Sequence, residues 1–192
     1  MIIKNHEIID TKENNFQVMM QWEKPYMEKC VEVLKPHGDV LEIGFGMGFS
    51  ATAINKYPLR SYTVLEKNDK VIKKFDKWKF KQKNKKIKLI KGMWQYILPF
   101  INKKYDCIFF DDSPSYIFNR SDRLGNFIKY VLIKNVKNNT KLVSYSTGPH
   151  SYKGFLKKKF TDKSYKYNIK IPYFCNYAKG NYMYVRKIVF KK

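Results

Sequence analysis

Leu41-Glu42-Ile43-Gly44-Phe45-Gly46-Met47-Gly48-Phe49-Ser50 is the stretch from which the rest of the chain can be read. An apolar run, Val40 to Ile43, leads into glycines at positions 44, 46 and 48, and a helical stretch continues through about Tyr57. Glycine has no Cβ, so the backbone can turn sharply there and come close to a ligand. Strand, glycine turn and helix in that order form the start of a nucleotide-binding unit. A second acid supports the reading. Glu66 ends the next apolar run, Tyr62 to Leu65, and stands 22 positions beyond Gly44, where it can hold ribose hydroxyls.

Working outward, strand-like and helical stretches alternate. A helix over Asp69 to Phe80 has an acidic first turn, and a lysine-rich loop spans Lys79 to Lys88. Then come strand Ile87 to Ile90, a short helix Trp94 to Phe100, strand Tyr105 to Phe110, a helix near Asp122 to Val136 and strand Lys141 to Tyr145. Such alternation gives a parallel sheet covered on both faces, so the fold class is α/β and Rossmann-like. The β-rich runs Tyr167 to Tyr173 and Tyr182 to Phe190 predict a closing C-terminal antiparallel hairpin and a mostly parallel, seven-stranded sheet. Upstream, Val18, Met19, Trp22, Tyr26, Met27, Cys30, Val31 and Leu34 recur at helical spacing. They predict a helix from Phe16 to Leu34, kinked by Pro25 and stopped by Lys35-Pro36-His37-Gly38. An open sheet of this kind binds its ligand beyond the carboxyl ends of its strands.

Composition bounds the partners. A length of 192 residues fits one domain, and 44% hydrophobic residues suit a globular core rather than a disordered chain. Apolar runs such as Cys107 to Phe110 are too short to cross a bilayer, and MIIKNHEIIDTKENN has no signal-peptide core. Cys30, Cys107 and Cys175 are scattered, which predicts buried thiols in the cytoplasm rather than disulfides or a zinc site. His6, His37 and His150 are isolated, and no metal constellation is expected. The net charge of +23 makes a nucleic-acid partner possible. Only four of the 39 basic residues are arginine, however, and lysine is spread along the whole chain beside many Asn and Ile. Compositional drift accounts for that pattern more simply than a selected surface.

The glycine turn separates two cofactor classes. Dinucleotide enzymes carry G-x-G-x-x-G, whereas this turn reads G-x-G-x-G with Phe49 where the third glycine would stand. Glu42, two residues before Gly44, would repel a pyrophosphate but accept from the amino group of a sulfonium cofactor. The expected cofactor is therefore S-adenosyl-L-methionine. After the third strand, Gly92-Met93-Trp94-Gln95 offers an apolar slot with one amide edge, suited to adenine. After the fourth comes Phe109-Phe110-Asp111-Asp112-Ser113-Pro114-Ser115-Tyr116. Nucleic-acid base methyltransferases often carry Asn/Asp-Pro-Pro-Tyr there, and this segment departs from it by an inserted residue and a missing proline.

Five segments together are more specific. Val18-Met19-Met20-Gln21-Trp22-Glu23-Lys24-Pro25-Tyr26-Met27, the glycine turn, Glu66-Lys67-Asn68-Asp69 with Lys91-Gly92-Met93-Trp94, and Phe110-Asp111-Asp112-Ser113-Pro114 lie in order over residues 16 to 114. In order and spacing they resemble the guanidinoacetate N-methyltransferase family, which includes a fungal ribosomal-protein arginine methyltransferase. The resemblance implies a class I methyltransferase fold whose N-terminal segment, here residues 1 to 35 and expected to be helical, covers the site. It implies cofactor contacts from Met19, Met27, Gly44, Phe45, Gly46, Met47, Gly48, Phe49, Glu66, Lys67, Asn68, Trp94, Gln95 and Asp111. Glu23 and Asp111 would bind the substrate guanidinium, with Gly148 nearby. Chemistry supports the pair independently, because a guanidinium presents paired N–H donors that carboxylates accept in bidentate fashion.

The departures bear on the acceptor. Gln95 stands where the family tends to have Glu, Ser113 where it has Tyr, and Ser146-Thr147-Gly148-Pro149-His150 differs from the segment that holds the substrate's carboxylate end. The expected function is S-adenosylmethionine-dependent methylation of a guanidino nitrogen, on a small molecule or on an arginine-containing peptide. The alternatives are a nucleic-acid methyltransferase and a cofactor-binding protein without transfer.

Overall fold

The computed structural model describes residues 1–11, 15–83, 86–112, 123–149 and 155–191. Ten strands and five α-helices follow one another along these residues. Strands β1 (Ile2–Ile3), β2 (Glu7–Asp10) and β3 (Phe16–Met20) form a small antiparallel sheet. A 3-10 turn, Gln21–Glu23, then leads into α1 (Lys24–Leu34). The main sheet is built from β4 (Gly38–Ile43), β5 (Leu59–Glu66), β6 (Ile87–Lys91), β7 (Tyr105–Phe110), β8 (Val136–Ser146), β9 (Phe160–Asn168) and β10 (Tyr182–Phe190). Its order is β6-β5-β4-β7-β8-β10-β9. The first five are mutually parallel, and β10 runs antiparallel between β8 and β9. Helices α2 (Phe49–Ile54), α3 (Asp69–Phe80), α4 (Trp94–Ile97) and α5 (Arg123–Lys134) complete the two outer layers. The expected α/β class, the seven strands and the closing hairpin are all present.

The period of two along each strand divides the apolar residues between two cores. Val40, Cys107, Phe109 and Val143 face α1, α2 and α3, where Tyr26, Cys30, Ile54 and Phe75 meet them. Leu41, Ile43, Ile108 and Phe110 face the other way, toward Trp94 of α4 and Phe127, Ile128 and Val131 of α5. Burial on both faces is why the C-terminal parts of β4, β5 and β7 are mostly apolar. All three cysteines are buried and free. No helix among the described residues is long and apolar enough to cross a membrane.

The N-terminal segment departs from expectation. Residues 16–20 are a strand rather than the first turns of a helix, because Ile8 pairs with Met19 and Asp10 with Phe16 across β2 and β3. Pro25 then lies in the first turn of α1, where its missing N–H has no partner to lose, so it starts the helix instead of kinking it. The stop after Leu34 is as expected, with Lys35 left-handed at the C-cap. At the other end of the chain, β9 covers Phe160–Asn168 rather than Tyr167 to Tyr173. Nine residues of cross-strand pairing to β10 outweigh the polar composition of that edge strand.

Two backbone approaches position the loops above the sheet. Gly44 has φ of +83°, and a Cβ there would lie 2.2 Å from the carbonyl oxygen of Asp111. Gly46, at φ +54°, has the same relation to the Met19 sulfur, 2.7 Å from an added Cβ. A Gly44→Ala substitution should therefore cost on the order of 2–4 kcal/mol. Urea denaturation monitored by far-UV circular dichroism should show the midpoint fall without a change in slope.

Candidate active site

Hydrogen bonds between loop backbones gather the carboxyl ends of four strands. Gly44 N–H donates to Leu65 O at 2.8 Å, Asp111 N–H to Ile43 O at 3.0 Å and Gly92 N–H to Glu66 O at 2.9 Å. Over them opens a cleft whose empty space, open solvent at its mouth included, is about 970 Å³. Its floor is the glycine turn and Asp111, one side is Glu66 to Asn68 with Gly92 to Gln95, and β3 forms the opposite wall. That wall reaches the turn directly, since Met47 N–H donates to the Met19 sulfur at 3.1 Å.

Glu66 is pinned by backbone donors. Its Oε1 accepts from the N–H groups of Lys67 and Asn68, both at 2.8 Å, and its Oε2 accepts from Phe45 N–H at 2.9 Å. A carboxylate has about four acceptor sites, so one on Oε2 stays available to a hydroxyl in the cleft. Asn68 caps α3 through its side chain, which accepts from Lys70 and Val71. Trp94 stacks edge-on against Phe127 and donates its indole N–H to Asp112 at 2.7 Å. Gln95 lines the same side, and its Oε1 is buried with no hydrogen-bond partner.

The opposite end of the cleft holds two acids. Glu23 is 4% exposed, and its Oε1 accepts from Met20 N–H at 2.7 Å and from the Tyr177 hydroxyl at 2.5 Å. Burial pushes its carboxyl up to about 8 and the charge of Asp111 adds to that, against the two hydrogen bonds. Asp111 is raised to about 7, first by burial and then by the charge of Asp112, with Arg123 opposing. Asp112 itself is paired with Arg123. Neither Glu23 nor Asp111 makes an ion pair among the described residues. Two buried carboxyl groups in one cleft, Glu23 raised further by the charge of Asp111, give an environment that a cation would relieve.

The sequence model of guanidinoacetate N-methyltransferase matches residues 5–181. The chain belongs to that family. Among its relatives, "Protein arginine N-methyltransferase 2" of Saccharomyces cerevisiae is 37% identical over 109 residues, which is 53% of this chain and 26% of that protein. The chain thus spans about a quarter of the length of the curated relative it matches. Among solved structures, spermidine synthase from Thermotoga maritima superimposes with a TM-score of 0.65 at 14% identity, covering 93% of this chain and 64% of that one. The SAH-bound Podospora anserina methyltransferase PaMTH1 gives 0.57 at 17% identity, over 91% and 80%. These likenesses place the fold in the class I Rossmann-like methyltransferases.

Of the residues expected at the site, Met19, Glu23, Gly44, Gly46, Glu66, Lys67, Asn68, Trp94, Gln95 and Asp111 all line the cleft. Glu42 does not, and its expected role is corrected accordingly. It shares the face of β4 with Val40, so its side chain points under α2, fully buried, with Ser50 donating at 2.5 Å and Tyr62 donating to the other oxygen. Burial there raises its pKa to about 8. Met27 is enclosed in the core of α1, and the Phe45 ring packs on Phe75 and Trp78, leaving only its N–H for Glu66. Met47, Gly48, Phe49 and Gly148 are not among the lining residues, and Gly148 bonds instead with the Ser146 hydroxyl. Ser113 to Tyr116 and His150 lie outside the described residues. Tyr177, Tyr145 and Arg123 line the cleft without having been expected. Tyr145 ends the fifth strand, where position alone could have flagged it. Tyr177 sits in the β9–β10 connection with no local motif.

Raised carboxyls give a testable pH dependence. Below the ordinary value of 4.5 both folded and unfolded chains hold the Glu42 proton. As pH rises toward 8 the unfolded chain releases it and the folded protein keeps it, so this contribution to stability is lost. The Tm should accordingly fall between pH 5.5 and 8.5, and Glu42→Gln should flatten that slope. Differential scanning calorimetry across the range checks it, and an unchanged slope in the variant refutes the assignment.

Proposed function

We propose that this protein transfers a methyl group from S-adenosylmethionine to a nitrogen of a guanidino group, small or carried on an arginine side chain. The observation that carries the reading is the pair Glu23 and Asp111, buried in one cleft, neither of them in an ion pair among the described residues, with the nearby Arg123 paired to Asp112 instead. A guanidinium is planar, permanently charged and rich in N–H donors, which answers both the charge and the hydrogen bonding of the pair.

The cleft residues fit the cofactor. The orphaned Gln95 Oε1 would accept from an adenine amino group, and the remaining acceptor site on Glu66 would take a ribose hydroxyl. The bare turn at Gly44 and Gly46 allows close approach of the rest of the molecule. When bound, the cofactor supplies an electrophilic methyl on a sulfonium.

The chain's own residues then have distinct tasks. Tyr177 and the Met20 N–H occupy Glu23 Oε1, which leaves Oε2 to accept from the substrate. Glu23 and Asp111 together hold the positive charge on two guanidino nitrogens, so that the lone pair of the third is freed for in-line attack. As the new C–N bond forms, that nitrogen loses a proton to Asp111, whose carboxyl is already poised at about 7. The product remains a guanidinium, so charge is conserved on the substrate.

Two variants test this. Glu23→Ala should leave affinity for S-adenosylhomocysteine within about twofold and lower methyl transfer by about 100-fold or more. Calorimetric titration with S-adenosylhomocysteine, then with guanidinoacetate or an arginine peptide, separates the two effects, and full turnover in the variant would sink the clamp. Tyr177→Phe removes a hydrogen bond that lowers the Glu23 pKa. Guanidino binding requires ionised Glu23, so its acid limb should move to higher pH in that variant. A limb that stays in place would count against Tyr177 holding the acid.

A further inference from the structure

On the face of the sheet covered by α1, and away from the cleft, lysines converge. Lys187 of β10 pairs directly with Lys163 of β9, so the two side chains leave the same face as cross-strand neighbours. Lys141 is on the adjoining strand β8, on the same face as Val143, which pairs with Lys187. Lys35 closes α1, a helix that packs over β8 and β10. Burial first, and then the charges of Lys141, Lys35 and Lys163, hold the Lys187 ammonium below its ordinary range. None of the four has an ion-pair partner among the described residues. Like charges placed directly opposite on neighbouring strands are destabilising. The C-terminal end of α1 offers about half a negative charge against four positive ones.

From this geometry we infer that Lys35, Lys141, Lys163 and Lys187 form a docking site for the phosphate backbone of a single-stranded nucleic acid. Charge complementarity is the first argument: a self-repelling cluster on a chain of net charge +23 is relieved by a polyanion. The second is what stands beside it. Tyr165 lies two residues from Lys163 on the same face of the edge strand and is 43% exposed, a ring on which a base can stack. Edge strand β9 has no strand paired along its outer side among the described residues, so an extended strand of nucleotides can lie along it. The site is separate from the cleft, because Lys141 pairs with Cys107, four residues before Asp111 and so roughly 13 Å lower along the sheet. It does not depend on the reading of the cleft.

The test compares two triple variants of the full chain that carry the same net charge. In one, Lys141→Gln, Lys163→Gln and Lys187→Gln remove the three cluster lysines carried by the sheet and leave Lys35. In the other, Lys73→Gln, Lys77→Gln and Lys79→Gln neutralise exposed positions on α3. Fluorescence anisotropy with a labelled 20-nucleotide single-stranded RNA, titrated over a salt series, should show at least a tenfold loss for the first and little change for the second. The slope of log affinity against log salt should fall by roughly 2 in the first, at about 0.7 for each phosphate that the protein no longer neutralises. Removal of the repulsion should leave the Tm of the first variant equal to or above wild type, and S-adenosylhomocysteine affinity should be unchanged. Equal losses in both variants would mean attraction by overall charge and would overturn the site. Displacement of the RNA by poly-glutamate at matched charge would overturn it in favour of an acidic polypeptide.

Discussion

The contact between Gly44 and the carbonyl of Asp111 joins the two halves of the candidate chemistry. It sets the end of β4, with the cofactor turn, against the end of β7, with the acid assigned to the proton. Only a residue without a Cβ permits this approach. The turn is then tied to β5 through Gly44 N–H and to Glu66 through Phe45 N–H, so ribose acceptor and acid share one rigid frame. The wall formed by β3 is keyed to the same frame, because its Met19 sulfur accepts from the turn. Displacing the glycine would therefore misplace three loops at once.

Electrostatically the protein has two opposite regions. Its surface is strongly cationic, yet the cleft gathers Glu23, Glu66, Asp111 and Asp112 around a space with few basic neighbours. At physiological salt the surface charge is screened beyond about 8 Å, while the buried acids act at short range. A cationic ligand therefore meets a favourable field only once it is inside. The raised pKa values record first what burial costs the acids and then what their neighbouring charges add, and a bound cation would offset that penalty. On the proposed function, specificity for positive charge resides in the desolvated pair rather than in the potential of the whole molecule.

The sheet and its helices were legible because they obey local rules. Asp69–Phe80 and Tyr105–Phe110 match their predicted limits, since an acidic first turn and a run buried on both faces are each contained in the segment itself. Glu23 and Asp111 were legible for a different reason, the resemblance of their flanking residues to a known family. Residues 16–20 misled because Val18 and Met19 continue the helical spacing of Trp22 and Tyr26 while the segment pairs with β2, and a pairing partner leaves no trace in local periodicity. Glu42 misled because the acid was read by its distance from Gly44 and not by the alternation of β4, which turns it away from the ligand. Tyr177 was invisible, for its role depends on a neighbour 154 residues away.

That separation has a consequence for how the protein comes into being. Gln17 is held at both ends by the β9–β10 connection, donating to Phe174 O and accepting from Asn176 N–H, while Tyr177 reaches Glu23. Strand β10, which follows, enters between two strands already made. On the ribosome, the first strands and the glycine turn emerge long before these residues do. A nascent chain can therefore assemble its nucleotide-binding half early, yet its second acid stays unoriented until nearly all of the described chain has been synthesised. Non-local closure of this kind is slow to form. The order of synthesis thus delays the completed pair of acids until the sheet that must support it is in place.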